Sequence, residues 1–296
     1  MLAKYSAENL RVRPRIGPDE RGVVSRVTAD DARWSDLNVE LRRLGPGDRW
    51  QHETGDAEMA LVVLGGRCAV SSSRGDFPRI GRRPDVWSGM PYALYLPRRT
   101  SFTLEGESDR VEVAAAWART DQDHRARLVT PSDVRVEIRG GRSNTRQINS
   151  ILPPGFDCDR LVCVEVYTPA GNWSSYPPHK HDEHRTDNQG VLAEADLEEI
   201  YLYKMRQPGG HALQRIYTGD RSLDAAIVAE DSDIVLVPYG YHPVSAAYGY
   251  DCYYLNFLAG SAQSLACTDD PAHAWVKETW TDTDPRVPMV THEMET

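Results

Sequence analysis

The segment Tyr176-Pro-Pro-His-Lys-His-Asp-Glu183 places two histidines, His179 and His181, two residues apart. Its two prolines disfavour a helix and favour a strand that is entered from a rigid turn. Alternate side chains of a strand point to the same face, so both imidazoles are predicted to face one point while Lys180 faces away. Two imidazoles side by side on a strand indicate a metal site that needs further ligands.

Two further donors follow in the chain. Glu199 opens the β-rich segment Glu199-Ile-Tyr-Leu-Tyr-Lys204, and His242 ends Pro238-Tyr-Gly-Tyr-His242, just after an apolar strand. Three neutral imidazoles and one carboxylate can bind a divalent cation and leave room for water or substrate oxygens. The predicted metal ligands are His179, His181, Glu199 and His242.

The identity of the metal stays open, because such a ligand set accepts zinc, manganese, iron or nickel. One alternative is a surface histidine pair and an unrelated loop histidine, since the HxH pattern alone is a weak signal. The order of HxH, glutamate, apolar strand and PxGxH argues against that alternative.

Composition predicts a cytoplasmic protein that binds neither nucleic acid nor membrane. The net charge of the 296 residues is −10, which disfavours nucleic-acid and anionic-membrane surfaces. No apolar run has transmembrane length, and the N-terminus lacks the apolar core of a secretory signal. The five cysteines are odd in number and form no CxxC, so reduced thiols are expected. A homo-oligomer is possible, and the sequence leaves the oligomeric state open.

The chain has the pattern of two β-barrels. Nineteen prolines, 22 glycines and many short β-rich runs favour an all-β fold. Glu58-Met-Ala-Leu-Val-Val63 resembles the segment that begins at Glu199. In both halves a β-rich run ends at a proline, Pro97 or Pro238, that lies 39 residues after the glutamate. Equal spacing of matching segments predicts two copies of one barrel.

The first copy lacks the HxH pair before Glu58 and lacks a histidine after Pro97, so no metal is expected there. The predicted domains are therefore 1–125, a barrel without a metal site, and 126–296, a metal-binding barrel with a tail that contains proline and tryptophan. The polar segment between His181 and Glu199 is too long for a hairpin turn, and we expect it to form a flap over the metal.

These motifs resemble the cupin superfamily, and more closely the 5-deoxy-glucuronate isomerase family of inositol catabolism. The specific match is Gly171-Asn-Trp-Ser-Ser-Tyr-Pro-Pro-His-Lys-His-Asp-Glu183, supported by Asn144-Thr-Arg146 and Leu213-Gln-Arg-Ile-Tyr-Thr218. The resemblance implies two tandem cupin (jelly-roll) domains. It also implies isomerisation of 5-deoxy-D-glucuronate, a small anionic sugar acid, to 2-deoxy-5-keto-D-gluconate.

That reaction would need a general base and a cation for the substrate carboxylate. The sequence leaves both assignments open. The candidates for the base are Glu183, Asp182, Tyr201 and Tyr203, and those for the cation are Arg185, Arg215 and, ranked last, Lys204.

Three competing functions use the same motifs. A sister family, the ketol-isomerase of unsaturated uronate breakdown, is similar in its metal pattern, and its glutamate position favours Glu199 over Glu198 here. A cupin dioxygenase would use the same ligands. A non-catalytic sugar-binding cupin would have less need of an open metal position.

Overall fold

The computed structural model describes residues 5–19 and 21–294, and almost all of its regular structure is β. The described residues include one α-helix, α1 (Ala29–Ala32), and 3₁₀ helices at Pro131–Asp133, Arg142–Asn144, Ala274–Thr279 and His292–Met294. None of the described helices is long and apolar enough to cross a bilayer. The strands are β1 (Arg11–Val12), β2 (Val23–Val27), β3 (Asn38–Leu44), β4 (Arg49–Glu53), β5 (Ala57–Gly65), β6 (Cys68–Ser72), β7 (Gly75–Ile80), β8 (Tyr92–Leu96), β9 (Ser101–Gly106), β10 (Val111–Arg119), β11 (Arg127–Val129), β12 (Arg135–Arg139), β13 (Arg146–Leu152), β14 (Val162–Thr168), β15 (Trp173–Ser174), β16 (His179–Lys180), β17 (Asp182–Thr186), β18 (Leu192–Met205), β19 (His211–Tyr217), β20 (Asp224–Glu230), β21 (Ile234–Val237), β22 (Val244–Ala246), β23 (Cys252–Gly260) and β24 (Thr268–Asp269).

The chain forms two compact units, each with a larger and a four-stranded antiparallel sheet. The boundary drawn from the sequence, between residues 125 and 126, stays a prediction. The N-terminal unit comprises 14–19, 21–135, 155–161 and 290–294, and the C-terminal unit comprises 5–13, 136–154 and 162–289.

In the N-terminal unit, side chains from both sheets fill the interior. The larger sheet has the order β11-β8-β5-β10-β3-β2, and the smaller has the order β4-β9-β6-β7. Every residue of β5 is buried, and the strand is followed by Gly66, whose φ of +84° favours glycine. A Cβ at Gly66 would lie 2.1 Å from the Arg110 carbonyl oxygen. The core between the sheets includes Trp50, Met59, Leu61, Val70, Leu94, Phe102 and Val113.

Glu58 is a fully buried carboxylate in this unit. Its Oε1 accepts the backbone N–H groups of Arg160 (2.7 Å) and Leu161 (2.9 Å). Its Oε2 accepts the N–H of Asp159 (2.9 Å) and the hydroxyl of Tyr95 (2.8 Å). Four donors therefore converge on one side chain, which fixes the segment 155–161 to the unit.

Strand pairing corrects the alignment of the two halves. Glu199 pairs with Val237, the residue before Pro238. In the N-terminal unit, Leu96 precedes Pro97 in the same way, and it pairs with Met59. Met59, not Glu58, thus has the register position of Glu199, and its side chain lies in the apolar core. Because neighbouring residues of a strand face opposite sides, the sequence alignment was wrong by one residue.

In the C-terminal unit, the interior contains a cavity of about 550 Å³. The larger sheet has the order β1-β21-β18-β23-β14-β13-β12, with β17 paired to β18. The smaller sheet has the order β15-β22-β19-β20, and β16 pairs with β24. Alternate residues of β13, β14, β18 and β23 line the cavity.

The segment between His181 and Glu199 is an antiparallel hairpin rather than the loop expected from its length. β17 pairs with the first half of β18, and the N–H of Asp187 donates to the Val191 carbonyl at 2.8 Å. Most side chains of β17 are exposed, as its polar sequence requires. Whether the hairpin closes over the site stays a prediction.

Asp284 holds the tail of the C-terminal unit. It accepts hydrogen bonds from Arg286 and from the Asn172 side chain, and its backbone N–H donates to Thr145 Oγ1. Hydrogen bonds from Arg286, partly opposed by burial, lower the pKa of Asp284 from 3.8 to about 2.

Because this pKa is lower in the folded state, Asp284 is expected to contribute stability above pH 4 and to lose it as the pH falls towards 2. Asp284→Asn should lower the free energy of unfolding by up to about 2 kcal/mol at pH 6. The difference from the wild type should shrink in urea titrations at pH 4 and pH 3. A difference that stays constant over this range would contradict the assignment.

Candidate metal centre

Three of the four predicted ligands converge in the C-terminal unit. His181 lies between β16 and β17, Glu199 lies in β18, and His242 follows the turn after β21. All three side chains are buried, and their donor atoms lie within 4.8 Å of one another. The Nε2 atoms of His181 and His242 lie 3.0 and 3.2 Å from the same Glu199 oxygen, Oε2.

The backbone fixes the tautomer of both imidazoles. His181 Nδ1 lies 3.0 Å from the Leu197 carbonyl oxygen, and His242 Nδ1 lies 2.8 Å from that of Gly240. A carbonyl only accepts hydrogen bonds, so each Nδ1 carries a proton and donates it. In the neutral ring, each Nε2 therefore presents a lone pair towards the Glu199 carboxylate.

Two lone pairs and a carboxylate oxygen repel one another unless a positive charge lies among them. His242 Nε2 is buried and makes no hydrogen bond with any described residue, although it lies close to Glu199. Such an orphaned buried atom is costly unless it has a ligand. The donor set therefore fits a divalent cation, and borderline metals prefer this combination of imidazole and carboxylate.

The electrostatics of the centre agree with a need for positive charge. Burial would raise the pKa of Glu199, but the adjacent His181 and His242 rings lower it to about 2. Burial would lower the pKa of His181, but the negative charge of the adjacent Glu199 raises it. Glu199 is thus an ionised carboxylate, which adds to the attraction of this centre for a cation.

His179 lies beside this group but is not part of the tight cluster. Its ring is half-buried, and its centroid lies 4.8 Å from that of His242 and 6.3 Å from that of His181. Burial, followed by the nearby His242 and His181, lowers the pKa of His179 well below 6.5. His179 therefore offers a neutral imidazole to the same cavity.

Of the predicted catalytic residues, Tyr201 lines the cavity. Its hydroxyl lies 3.0 Å from Ser175 Oγ. Burial, followed by the charge of Glu199, raises the pKa of Tyr201 well above 10, so the phenol keeps its proton. Tyr203 is buried outside the lining of this cavity, and its hydroxyl donates a hydrogen bond to Gln214 Oε1 at 2.9 Å. The Glu183 side chain is 63% exposed and lies 3.8 Å from Lys180.

The predicted substrate cations do not line the cavity. Arg185 donates to Thr268, and Arg215 pairs with Asp224 at the surface. Lys204 is buried and donates to Ser232. The cations that do line the cavity are Arg139, Arg146 and Lys277. The sequence contained a clue to the position of Arg146. It alternates with Ile148 and Ser150 along β13, so the three side chains share one face of the strand.

Asp182 connects the two histidine segments. Its Oδ2 accepts the N–H of Gly240 at 2.9 Å, and the Gly240 carbonyl in turn holds His242. Its Oδ1 accepts a hydrogen bond from Lys180 Nζ, which also donates a hydrogen bond to the buried Glu194 at 2.8 Å. Lys180 thus faces away from the donors, as predicted, and contributes to a network that orients them.

The sheet orders and the donors inside one barrel place the chain among cupin-fold proteins. Bacillus subtilis oxalate decarboxylase, a protein with Mn(II) centres, is 11% identical and superposes with a TM-score of 0.61 over 90% of this chain and 80% of its own. The chain belongs to the KduI/IolB family, whose model matches residues 11–276. The predictions of an all-β cupin fold and of an isomerase family are confirmed.

Among relatives at higher identity, two curated enzymes share one activity in their names. The 5-deoxy-glucuronate isomerase of Geobacillus kaustophilus is 43% identical over 90% of this chain and 94% of its own length. The enzyme of that name from Bacillus subtilis strain 168 is 34% identical over 86% of this chain and 93% of its own. An IolB-like protein from Salmonella typhimurium LT2 is 35% identical with a TM-score of 0.85, over 90% of this chain and 98% of its own.

Proposed function

We propose that the protein is a metal-dependent aldose–ketose isomerase that converts 5-deoxy-D-glucuronate to 2-deoxy-5-keto-D-gluconate in myo-inositol catabolism. The observation that carries the proposal is the convergence of His181, Glu199 and the unpartnered His242 Nε2 on one point in a cavity. The names of relatives that align along most of the chain support the substrate.

His179, His181, Glu199 and His242 would hold one divalent cation. When bound, the cation would act as a Lewis acid that polarises the substrate carbonyl and stabilises negative charge on neighbouring oxygens. Zinc, manganese, iron and nickel all suit this donor set. The carbonyl contacts of His181 and His242 would keep their Nε2 atoms directed at Glu199.

The reaction moves one hydrogen from the hydroxyl-bearing carbon to the aldehyde carbon, and the hydroxyl proton to the aldehyde oxygen. Of the sequence candidates for proton transfer, Tyr201 has the support of its position in the cavity. Because its phenol stays protonated, Tyr201 would act as a proton donor to a substrate oxygen and would recover the proton from the other oxygen. Ser175 would orient its hydroxyl.

The deciding experiment incubates metal-loaded protein with 5-deoxy-D-glucuronate and follows the keto product by NMR. Turnover of the unsaturated uronate instead would favour the sister activity, and oxygen consumption would favour a dioxygenase. No turnover by protein that retains its metal would refute the proposed isomerase.

Asp182→Ala tests the connection between the two histidine segments. Losing the contact with Gly240 should loosen His242 and reduce metal affinity roughly 10- to 100-fold, as is typical for groups that orient metal ligands. Competition with a metal-sensitive chelator measures this. Asp196→Asn, on the partner strand of the hairpin, is the control. If Asp182 were instead the general base, turnover would fall while metal affinity stayed unchanged.

All five cysteines are free thiols, which supports the cytoplasm as the expected location. The expected partner is the small anionic substrate, and a homo-oligomer stays possible.

A further inference from the structure

Arg146 is a buried cation without a carboxylate partner in the described part of the chain. Only 5% of the residue is exposed, and the guanidinium makes one hydrogen bond to the described residues, from Nη1 to the Asn144 carbonyl at 3.2 Å. Burial lowers its pKa to about 10. A guanidinium stays charged at neutral pH even so, and an unpaired buried charge is unfavourable unless a ligand neutralises it.

The other two cations of the cavity are already neutralised. Arg139 Nε donates to Glu137 at 2.8 Å, and Lys277 pairs with Asp269. Arg146 is therefore the cavity cation that has charge available for an anion.

A second unpartnered donor lies beside Arg146. The Arg146 guanidinium carbon is 5.6 Å from the centroid of the Trp280 ring, and Trp280 also lines the cavity. Its indole nitrogen is buried and has no hydrogen-bond partner among residues 5–19 and 21–294. An indole N–H only donates, so this atom, like the guanidinium, lacks an acceptor.

We propose that Arg146 and Trp280 form the subsite that binds the substrate carboxylate, in the same cavity as the metal ligands. The inference rests on the proposed function, because it takes a sugar acid as the ligand. A guanidinium binds a carboxylate through two parallel hydrogen bonds, and this geometry selects acids over neutral sugars. The subsite would bind the carboxylate end of the substrate and the metal centre the aldehyde end. Together they would fix the orientation of the substrate in the cavity.

The test compares two substrates. 5-Deoxy-D-glucuronate carries the carboxylate, and 5-deoxy-D-glucose carries a hydroxymethyl group in its place. Arg146→Met should raise KM for the acid roughly 10- to 100-fold, as expected for the loss of charge-assisted hydrogen bonds. For the neutral sugar, kcat/KM should stay within about threefold of the wild-type value, since this substrate has no carboxylate that Arg146 could bind. Arg146→Lys should recover part of the affinity for the acid.

Arg206→Met, which removes an exposed arginine paired with Asp251, controls for a general effect of removing an arginine. Equal losses for both substrates in Arg146→Met would indicate a structural role and overturn the subsite, as would an unchanged KM for the acid. A selective loss in Arg215→Met instead would favour the assignment made from the sequence.

Binding of the acid reduced at its aldehyde carbon, measured by calorimetry, separates this subsite from the proposed reaction. This compound keeps the carboxylate but cannot isomerise. If wild-type protein binds it and Arg146→Met binds it roughly 10- to 100-fold more weakly, the subsite stands even if turnover fails. Equal binding by both proteins, or none by wild type, would overturn the subsite while leaving a measured isomerase activity intact.

Discussion

Glu199→Gln is expected to lower kcat/KM for 5-deoxy-D-glucuronate by about a thousandfold or more and to remove most of the bound metal. Glu199 Oε2 is the atom on which both Nε2 atoms converge. An amide keeps the shape of the side chain but loses the negative charge that the cation needs. Loss of several kcal/mol of transition-state stabilisation corresponds to a rate effect of this size.

Metal content per chain, measured by mass spectrometry, gives a readout that does not depend on turnover. Glu198→Gln is the matched control, because Glu198 is the preceding residue of β18 and faces the opposite side of the strand. It should keep full metal content. Normal metal content in Glu199→Gln together with loss in Glu198→Gln would reverse the ligand assignment.

Glu58→Ala is expected to destabilise the N-terminal unit by about 4 kcal/mol, because each buried donor left without an acceptor costs about 1–3 kcal/mol. Three backbone N–H groups and the Tyr95 hydroxyl lose their acceptor. Urea denaturation measures the stability. Hydrogen exchange should accelerate most at the amides of Asp159, Arg160 and Leu161.

The control is Glu105→Ala, which removes a glutamate that pairs with Arg49 at the surface of the same unit. Exposed ion pairs contribute about 0–1 kcal/mol, so this variant should be nearly as stable as the wild type. Similar stabilities for the Glu58 and Glu105 variants would mean that water replaces the lost acceptor.

Local patterns were sufficient to predict the centre of the candidate site. The HxH segment, Glu199 and His242 each stand next to residues whose strand or turn preference is strong, and alternation along a strand determines the face of a side chain. The same rule predicted that Lys180 points away. The all-β fold followed from the frequency of short β-rich runs between glycines and prolines.

Errors arose where the answer depends on pairing between distant strands. Equal spacing aligned Glu58 with Glu199, but the register of β5 and β8 puts Met59 there, and spacing along one strand cannot reveal a shift of one residue. The hairpin was missed because its strands are polar. Arg215 was among the sequence candidates for the substrate cation and Arg146 was not, since a sequence gives the charge of an arginine but not the partner that neutralises it.

The strand β1 has a consequence for anyone who wishes to express half of this chain. Arg11–Val12 pairs with β21 as the outermost strand of the C-terminal sheet, and Arg11 binds Asp233 at its end. A fragment that starts at residue 126 would lack this strand, and the backbone groups on the edge of β21 that faces β1 would be left without partners. Open edges of this kind recruit strands from other molecules. Such a truncation should aggregate. A fusion that joins residues 5–13 to the fragment through a flexible linker would let β1 pair with β21 and so cover this edge.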